Sequence, residues 1–183
     1  MHFQRRVWAL LVHDHNYKLE ILQKLLLQYF EKGIFYMIIF KGRPVIPGCF
    51  KGEAVVTKLG FNTLATCQKS VLKKNATCII GADQNNPDTF NKELTGRIIC
   101  CPQTIGSTTG GMILQTCADY GLAPAVFLFS REIDSLAAAG VILADVWQNK
   151  KIITIDNLGD DFLNTVKTGQ TLEIKEDGTV VCF

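Results

Sequence analysis

Histidine is nearly absent from this 183-residue chain: His2, His13 and His15 are the three, and all of them precede Met37. From Met37 onward there is no imidazole, which excludes a His-based catalytic triad, a His-ligated zinc site and a phosphohistidine carrier from that part. No C-x-x-C pair occurs either. The seven cysteines (Cys49, Cys67, Cys78, Cys100, Cys101, Cys117 and Cys182) are odd in number and lie mostly inside apolar runs. They read as reduced, buried small hydrophobes in a cytoplasmic protein. Charge of one sign is not in excess: 19 basic and 17 acidic residues leave a net +2 without a block, so no electrostatic footprint for nucleic acid is visible. G-x-x-x-x-G-K-[ST] is missing, and the glycine-rich junction described below is not G-x-G-x-x-G, so neither a P-loop nor a dinucleotide fingerprint is supported.

The N-terminal apolar patch, Val7 to Val12, is too short for a secretory h-region and is followed at once by His13, Asp14 and His15 without a small-residue cleavage site. It also falls far below the roughly 20 residues of a membrane span. Lys18 to Phe30 has helical spacing, with Leu19, Leu22, Leu26 and Phe30 on one stripe, and Gly33 stops it. Met37 would make a natural chain start. Residues 1–36 are therefore expected to be an accessory extension, partly helical, and an overextended start rather than a native arm; a partner-docking helix is the sharper alternative. Residues 37–183 are expected to form one main domain, since 48% hydrophobic content over this length fills one ordinary core and not two.

From Met37 the punctuation becomes regular. Val45–Ile46, Glu53–Thr57 and "ATCII" (76–80) read as strands, and "RIICC" (97–101) and "AVFLF" (125–129) as fully buried ones. Between the last two, Thr109 to Tyr120 has helical spacing, with Gly121 as a C-terminal stop. That makes a β-α-β unit with parallel strands. A second, Ala-rich helix is predicted over Glu132 to Trp147, then a strand "KIITI" (151–155), then a hairpin around Glu176-Asp177-Gly178. The fold class is α/β, a parallel β-α-β core with additional strands.

The junction "PQTIGSTTGGM" (102–112) carries the chemistry. A strand ending at Pro102, a turn Gly106-Ser107-Thr108-Thr109-Gly110 and then a helix would aim free backbone N–H groups into the crevice at the strand's carboxyl end. The glycines admit a ligand close to the backbone, and the hydroxyls either cap the helix or donate to a carboxylate or phosphate. An ST-rich cap on a tight turn is the plainer reading. A serine there is a weak base unless its alkoxide is stabilised, and a helix dipole supplies only about 0.3–1 kcal/mol at an exposed site. A second polar cluster, Asp83-Gln84-Asn85-Asn86, follows a buried run; Asp83 and Asn85 are its leading site candidates, and Asn62 ranks below them. An ordinary Asx-rich turn accounts for that cluster equally well.

Four ordered blocks, "GRPVIPGCFKGEAVV", "ADQNNPD", "LTGRIICCPQTIGSTTGGM" and "PAVFLFSREIDSLAAAGVILADVW", resemble the small, swivel-domain subunit of the aconitase X family. The resemblance runs from about Gly42 to Asp156. It implies a swivelling β/β/α fold, a separate large subunit bearing an iron or iron-sulfur centre, and a hydro-lyase that removes water from a hydroxy acid as a heterodimer. By position, Ser107 inherits the role of the proton-abstracting base, and Gly106, Thr108, Thr109 and Gly110 become substrate-binding candidates. The turn is typically serine-rich in aconitase X small subunits, and here two of its hydroxyl residues are threonines. No arginine follows the turn as in aconitase itself, which speaks against a citrate-like tricarboxylate.

Within the family, bacterial members resemble cis-3-hydroxy-L-proline dehydratases and archaeal members resemble mevalonate 5-phosphate dehydratases. "FNTLATCQKS" and "ADQNNPD" look closer to the bacterial group, so cis-3-hydroxy-L-proline is the expected substrate and mevalonate 5-phosphate the alternative. A phosphorylated substrate would call for cations near the turn, from Arg97, Lys58 or Arg131. This chain is expected to bind no metal and no cofactor, because Cys100 and Cys101 are adjacent on a strand and point to opposite faces. A non-catalytic regulatory module and a stand-alone anion binder are the readings from other classes.

Overall fold

Ile98, Ile99, Cys100 and Cys101 are all fully buried. A strand can bury consecutive side chains only where both faces of its sheet are covered. The computed structural model describes residues 37–73 and 75–183. The expectations for residues 1–36, the Lys18–Phe30 helix among them, lie outside the described residues.

In chain order the elements are β1 (Ile38–Lys41), β2 (Arg43–Ile46), β3 (Phe50–Val56), β4 (Phe61–Asn62), α1 (Thr63–Val71), β5 (Ile98–Cys101) and β6 (Thr104–Ile105). They continue as α2 (Gly110–Asp119), β7 (Val126–Phe129), α3 (Ser135–Gln148), β8 (Ile153–Asp156), α4 (Asp160–Thr165), β9 (Thr171–Ile174) and β10 (Thr179–Cys182). Eight strands follow the order β1-β10-β9-β3-β5-β7-β8-β2, and β4 and β6 form a separate pair. β3, β5, β7 and β8 run parallel, as the β-α-β pattern requires, with β2 antiparallel on the β8 edge.

The strand β3 belongs to two pairings. Its first half, Phe50–Glu53, lies antiparallel to β9, and its second half, Ala54–Val56, lies parallel to β5. The hairpin β9–β10, extended by β1, thereby folds over one face of the parallel strands. Side-chain alternation then sorts the core into two layers. Ile98, Cys100, Val126, Leu128 and Ile155 pack against Leu172, Ile174, Val180 and Cys182 of the hairpin. Ile99, Cys101, Phe127 and Phe129 pack on the other face against Leu114, Cys117, Ala137 and Val141 of the helices. The result is the β/β/α layering that the resemblance implied.

Three local readings are corrected. "ATCII" (76–80) is not a strand: the Ile79 N–H is taken by the Thr95 hydroxyl, and only Ile80 and Glu93 form a bridge. Residues 63–71 form the helix α1, capped by Asn62 Oδ1 accepting the Ala65 N–H, where no helix was expected. α3 begins at Ser135 rather than Glu132, because Asp134 stays extended and its carboxylate accepts the N–H groups of Leu136 and Ala137. The glycine inside α3 has a packing reason: a Cβ on Gly140 would stand 2.8 Å from the Gly111 carbonyl oxygen, so α2 and α3 cross backbone to backbone.

Candidate functional site

The parallel strands end on one edge, and their carboxyl ends collect the polar groups. Thr57 follows β3, Pro102 follows β5 and Ser130 follows β7, with Asp156 closing β8. From Cys101 the chain crosses this edge as Pro102–Thr109. Its first part is held on both sides. β6 pairs in parallel with β4, and Phe61 of β4, fully buried, meets the Phe127 ring edge-on at 5.5 Å.

Gly106 then turns the chain with φ +107°, a conformation that favours glycine. A Cβ there would lie 2.7 Å from Asn62 Oδ1, so the Asn62 amide rests directly against the turn. Ser107, Thr108 and Thr109 are exposed, and Gly110 is buried against Thr63 of α1. Ser107 Oγ accepts the Thr109 N–H at 3.3 Å and lies 3.0 Å from Thr109 Oγ1, while the Ser107 carbonyl accepts the Gly110 N–H at 2.8 Å. Of the two uses open to the hydroxyls, Thr109 does not make the capping one: it occupies the N-cap of α2 in helical backbone, and its side chain turns to Ser107. Among the described residues no acceptor is paired with the N–H groups of Gly111 and Met112, the start of α2. The turn thus offers a serine hydroxyl whose oxygen accepts the Thr109 N–H and shares a hydrogen bond with the Thr109 hydroxyl, in which either oxygen can donate, next to unspent backbone N–H groups. From Pro102 to Met112 no side chain is ionisable.

The second cluster lies on the same edge and turns most of its polar groups inward, although the buried Asn86 Nδ2 has no hydrogen-bond partner among the described residues. Asp83 is buried, and its Oδ1 accepts the Asn85 N–H in an Asx turn while its carbonyl accepts the Asn86 N–H. Asn86 is buried too, and its Oδ1 accepts the Thr57 hydroxyl at 3.1 Å, anchoring the loop to the end of β3. Asn85 is exposed. Among the described residues no hydrogen bond joins residues 82–91 to the turn 106–110, in which Gly106, Ser107, Thr108, Thr109 and Gly110 are contiguous. Asn62, which ranked last in the sequence, touches the turn at Gly106, and Thr63 touches it at Gly110. Asp134 and Thr104 went unnamed there, although an aspartate just before an Ala-rich run is an N-cap signal. The structure joins them: Thr104 N–H and Oγ1 both donate to the Asp134 carboxylate, at 2.7 and 2.6 Å.

Of the three cations considered, Lys58 and Arg131 stand at the carboxyl edge. Lys58 follows Thr57 and donates to Asn164 Oδ1 at 3.0 Å; Arg131 is exposed, and its N–H donates to the Pro102 carbonyl at 3.4 Å. Arg97 is at the opposite end of β5, paired with Glu53. Arg43 joins the carboxyl edge from β2, reaching both oxygens of the fully buried Asp156 at 2.9 and 2.6 Å, and these bonds hold its guanidinium firmly charged.

The thiols do not form a metal centre. Cys100 faces the hairpin layer and Cys101 the helical layer. Burial is the main cause that pushes both thiols far up, with the neighbouring Cys101 thiol adding to it at Cys100 and Asp134 at Cys101. Cys67 is held up first by its hydrogen bond with Cys117 and then by burial, and burial pushes Cys182 up to about 11. Protonated thiols are poor ligands. Among the described residues no three His, Cys, Asp or Glu side chains gather where they could hold a metal ion, so the donors of these residues do not fit an iron or iron-sulfur centre. No helix of the described residues is long and apolar enough to cross a membrane.

Comparison with known proteins agrees with this architecture. The phosphomevalonate dehydratase small subunit of Pyrococcus furiosus is 27% identical over 106 residues, 58% of this chain and 72% of its own. That of Thermococcus onnurineus is 23% identical over 141 residues, 77% of this chain and 95% of its own, and that of Thermococcus gammatolerans 26% over 137 residues, 75% and 91%. Among solved structures, the holo-form crystal structure of Thermococcus kodakaraensis aconitase X superposes with a TM-score of 0.66 at 22% identity, covering 80% of this chain and 98% of that one. A solution NMR structure of a UPF0107 protein gives 0.60 at 23% identity, covering 80% and 99%. Residues 39–182 match the family model for the aconitase X swivel domain, and with that match over most of its length the chain belongs to the aconitase X swivel-domain family.

Proposed function

We propose that this chain is the small subunit of a two-subunit hydro-lyase, in which Ser107 takes a proton from the carbon beside a carboxylate of a hydroxy acid. The observation that carries the reading is the exposed Ser107 Oγ, set at the mouth of the β5–α2 junction with the Thr109 N–H and the Thr109 hydroxyl both within reach of it. A neutral serine is too weak a base for this step. The Thr109 N–H on its oxygen favours the alkoxide, to which the Thr109 hydroxyl can also donate, and a positioned base of this kind contributes about 10²–10⁴ in rate. The N–H groups at the start of α2 suit a carboxylate held beside it. Thr108 is exposed on the same turn and is assigned a substrate contact, with Gly106 and Gly110 leaving the backbone approachable.

An iron or iron-sulfur centre belongs in this reading to the large subunit, and the chemistry assigned to this chain is confined to proton abstraction and anion binding. The names of the relatives favour mevalonate 5-phosphate over cis-3-hydroxy-L-proline, reversing the order suggested by the sequence blocks. Lys58 and Arg131 on the carboxyl edge suit a phosphorylated substrate, although the turn itself carries no cation.

The test is co-expression with an aconitase X large subunit, followed by dehydration assays on both hydroxy acids. Mevalonate 5-phosphate is expected to be consumed by the assembled pair and by neither subunit alone. Turnover by the large subunit alone would make this chain a non-catalytic regulatory module, and a pair inert toward both compounds would overturn the dehydratase reading.

A further inference from the structure

One carboxylate near the turn makes more hydrogen bonds than its local role needs. Asp134 caps α3, its Oδ1 accepting from the Leu136 N–H at 2.9 Å and the Ala137 N–H at 3.1 Å. It also takes both donors of Thr104, the hydroxyl on Oδ1 and the N–H on Oδ2, across 30 residues of sequence. Thr104 is buried and stands three residues before Ser107. Bonds to a charged acceptor are about twice as strong as neutral ones, so this is a firm clamp on β6.

The loop that carries Asp134 is itself braced. The Ile133 N–H donates to Asp156 Oδ2, Asp156 is locked by Arg43, and the Glu132 carbonyl accepts the Gln103 side-chain amide at 2.9 Å. Two successive residues of the junction, Gln103 and Thr104, are therefore tied to two positions of the β7–α3 loop. On the other side β6 is paired with β4, whose Asn62 supports Gly106.

We infer that Asp134 is a positioning residue for Ser107: by clamping Thr104 it fixes the approach to the turn and so the place of the serine oxygen. This rests on the reading of Ser107 as the base, and the misplacement of a reacting group by about 1 Å is enough to cost a hundredfold in rate. The cap and the clamp can be separated. Asp134→Asn keeps an oxygen for the α3 cap, where asparagine and aspartate are equivalent, but sets an amide N–H₂ against the Thr104 N–H, two donors face to face. Thr104→Val removes only the hydroxyl bond, and Thr104→Ser retains both.

Backbone amide exchange on the full chain reads the clamp directly. Asp134→Asn is expected to speed exchange over residues 104–110 by about tenfold or more while amides 139–148 of α3 stay within about twofold of the unsubstituted chain. Thr104→Val should fall between, and Thr104→Ser should match the unsubstituted chain. Equal acceleration in α3, or no acceleration over 104–110, overturns the inference; should Asp134→Asn fail to fold, the Val and Ser pair decides by the same criterion. In the assembled pair, kcat of Asp134→Asn should drop about tenfold with KM within about threefold, the pattern of lost transition-state alignment rather than lost binding. An unchanged kcat overturns the inference as well. If the unsubstituted pair dehydrates neither compound, the base reading falls while the exchange result still decides whether Asp134 places the turn.

Discussion

Two polar segments share the carboxyl edge of the parallel strands and use their side chains in opposite ways. The loop 82–91 buries Asp83 and Asn86 and spends them on an Asx turn and on Thr57, at the end of β3. The turn 106–110 keeps its hydroxyls in solvent, bonded only to one another and to the adjacent backbone. The first segment is built to hold itself to the fold, the second to present a group that, among the described residues, only the turn itself engages. The difference teaches that polarity at a strand end is no guide to chemistry by itself; what counts is whether the polar side chains are buried as anchors or held out in solvent.

The sharpest way to break this contrast is Ser107→Ala. In the assembled pair it should lower kcat by about 10²–10⁴ with little change in melting temperature, since an exposed hydroxyl contributes little to stability. Full activity in that variant, measured by substrate consumption, removes the turn from the chemistry. Next in size is Gly106→Ala. Its φ of +107° and the 2.7 Å approach to Asn62 Oδ1 make a methyl group costly, by about 1–3 kcal/mol, and both thermal melting and activity should register it. Asn86→Ala should cost about 1–2 kcal/mol, or roughly 2–8 °C in melting temperature for a chain of this size, with kcat retained once the pair is assembled. Smallest is Asn85→Ala, within about 0.5 kcal/mol because the side chain is exposed, and without effect on turnover if the loop serves only to anchor itself. A large loss of activity there at constant stability would place the two segments in one site and dissolve the distinction.

The parts legible from sequence were those whose signal is local. The buried runs around Ile98 and Phe127 with a helix between them specify a parallel unit, and the adjacency of Cys100 and Cys101 sends their thiols into different layers, as observed. The hairpin at Asp177-Gly178 announced itself by its turn residues. What stayed hidden depends on partners distant along the chain. "ATCII" has strand composition, but its backbone groups go to Thr95 and Leu94, leaving no ladder to join. "TLATCQKSV" reads as no particular element because threonines interrupt its stripe, yet Asn62 caps it and Thr63, Thr66, Cys67 and Ser70 bury one side. At the site, the serine turn was visible as a motif. The supporting Asn62 and the Asp134–Thr104 clamp were not, since each joins residues about 30 to 45 positions apart, a relation that spacing along one chain does not encode.

The double membership of β3 has a mechanical consequence. One seven-residue strand is the hinge pin between the two halves of the eight-stranded sheet, with Ala54 already inside the parallel half and Glu53 still inside the antiparallel half. Peeling away the terminal hairpin would strip the first half of that pin, bare the apolar face of β5 and β7 to water and loosen the strands that carry the serine, so damage near Glu176 would be felt there as lost cooperativity in unfolding.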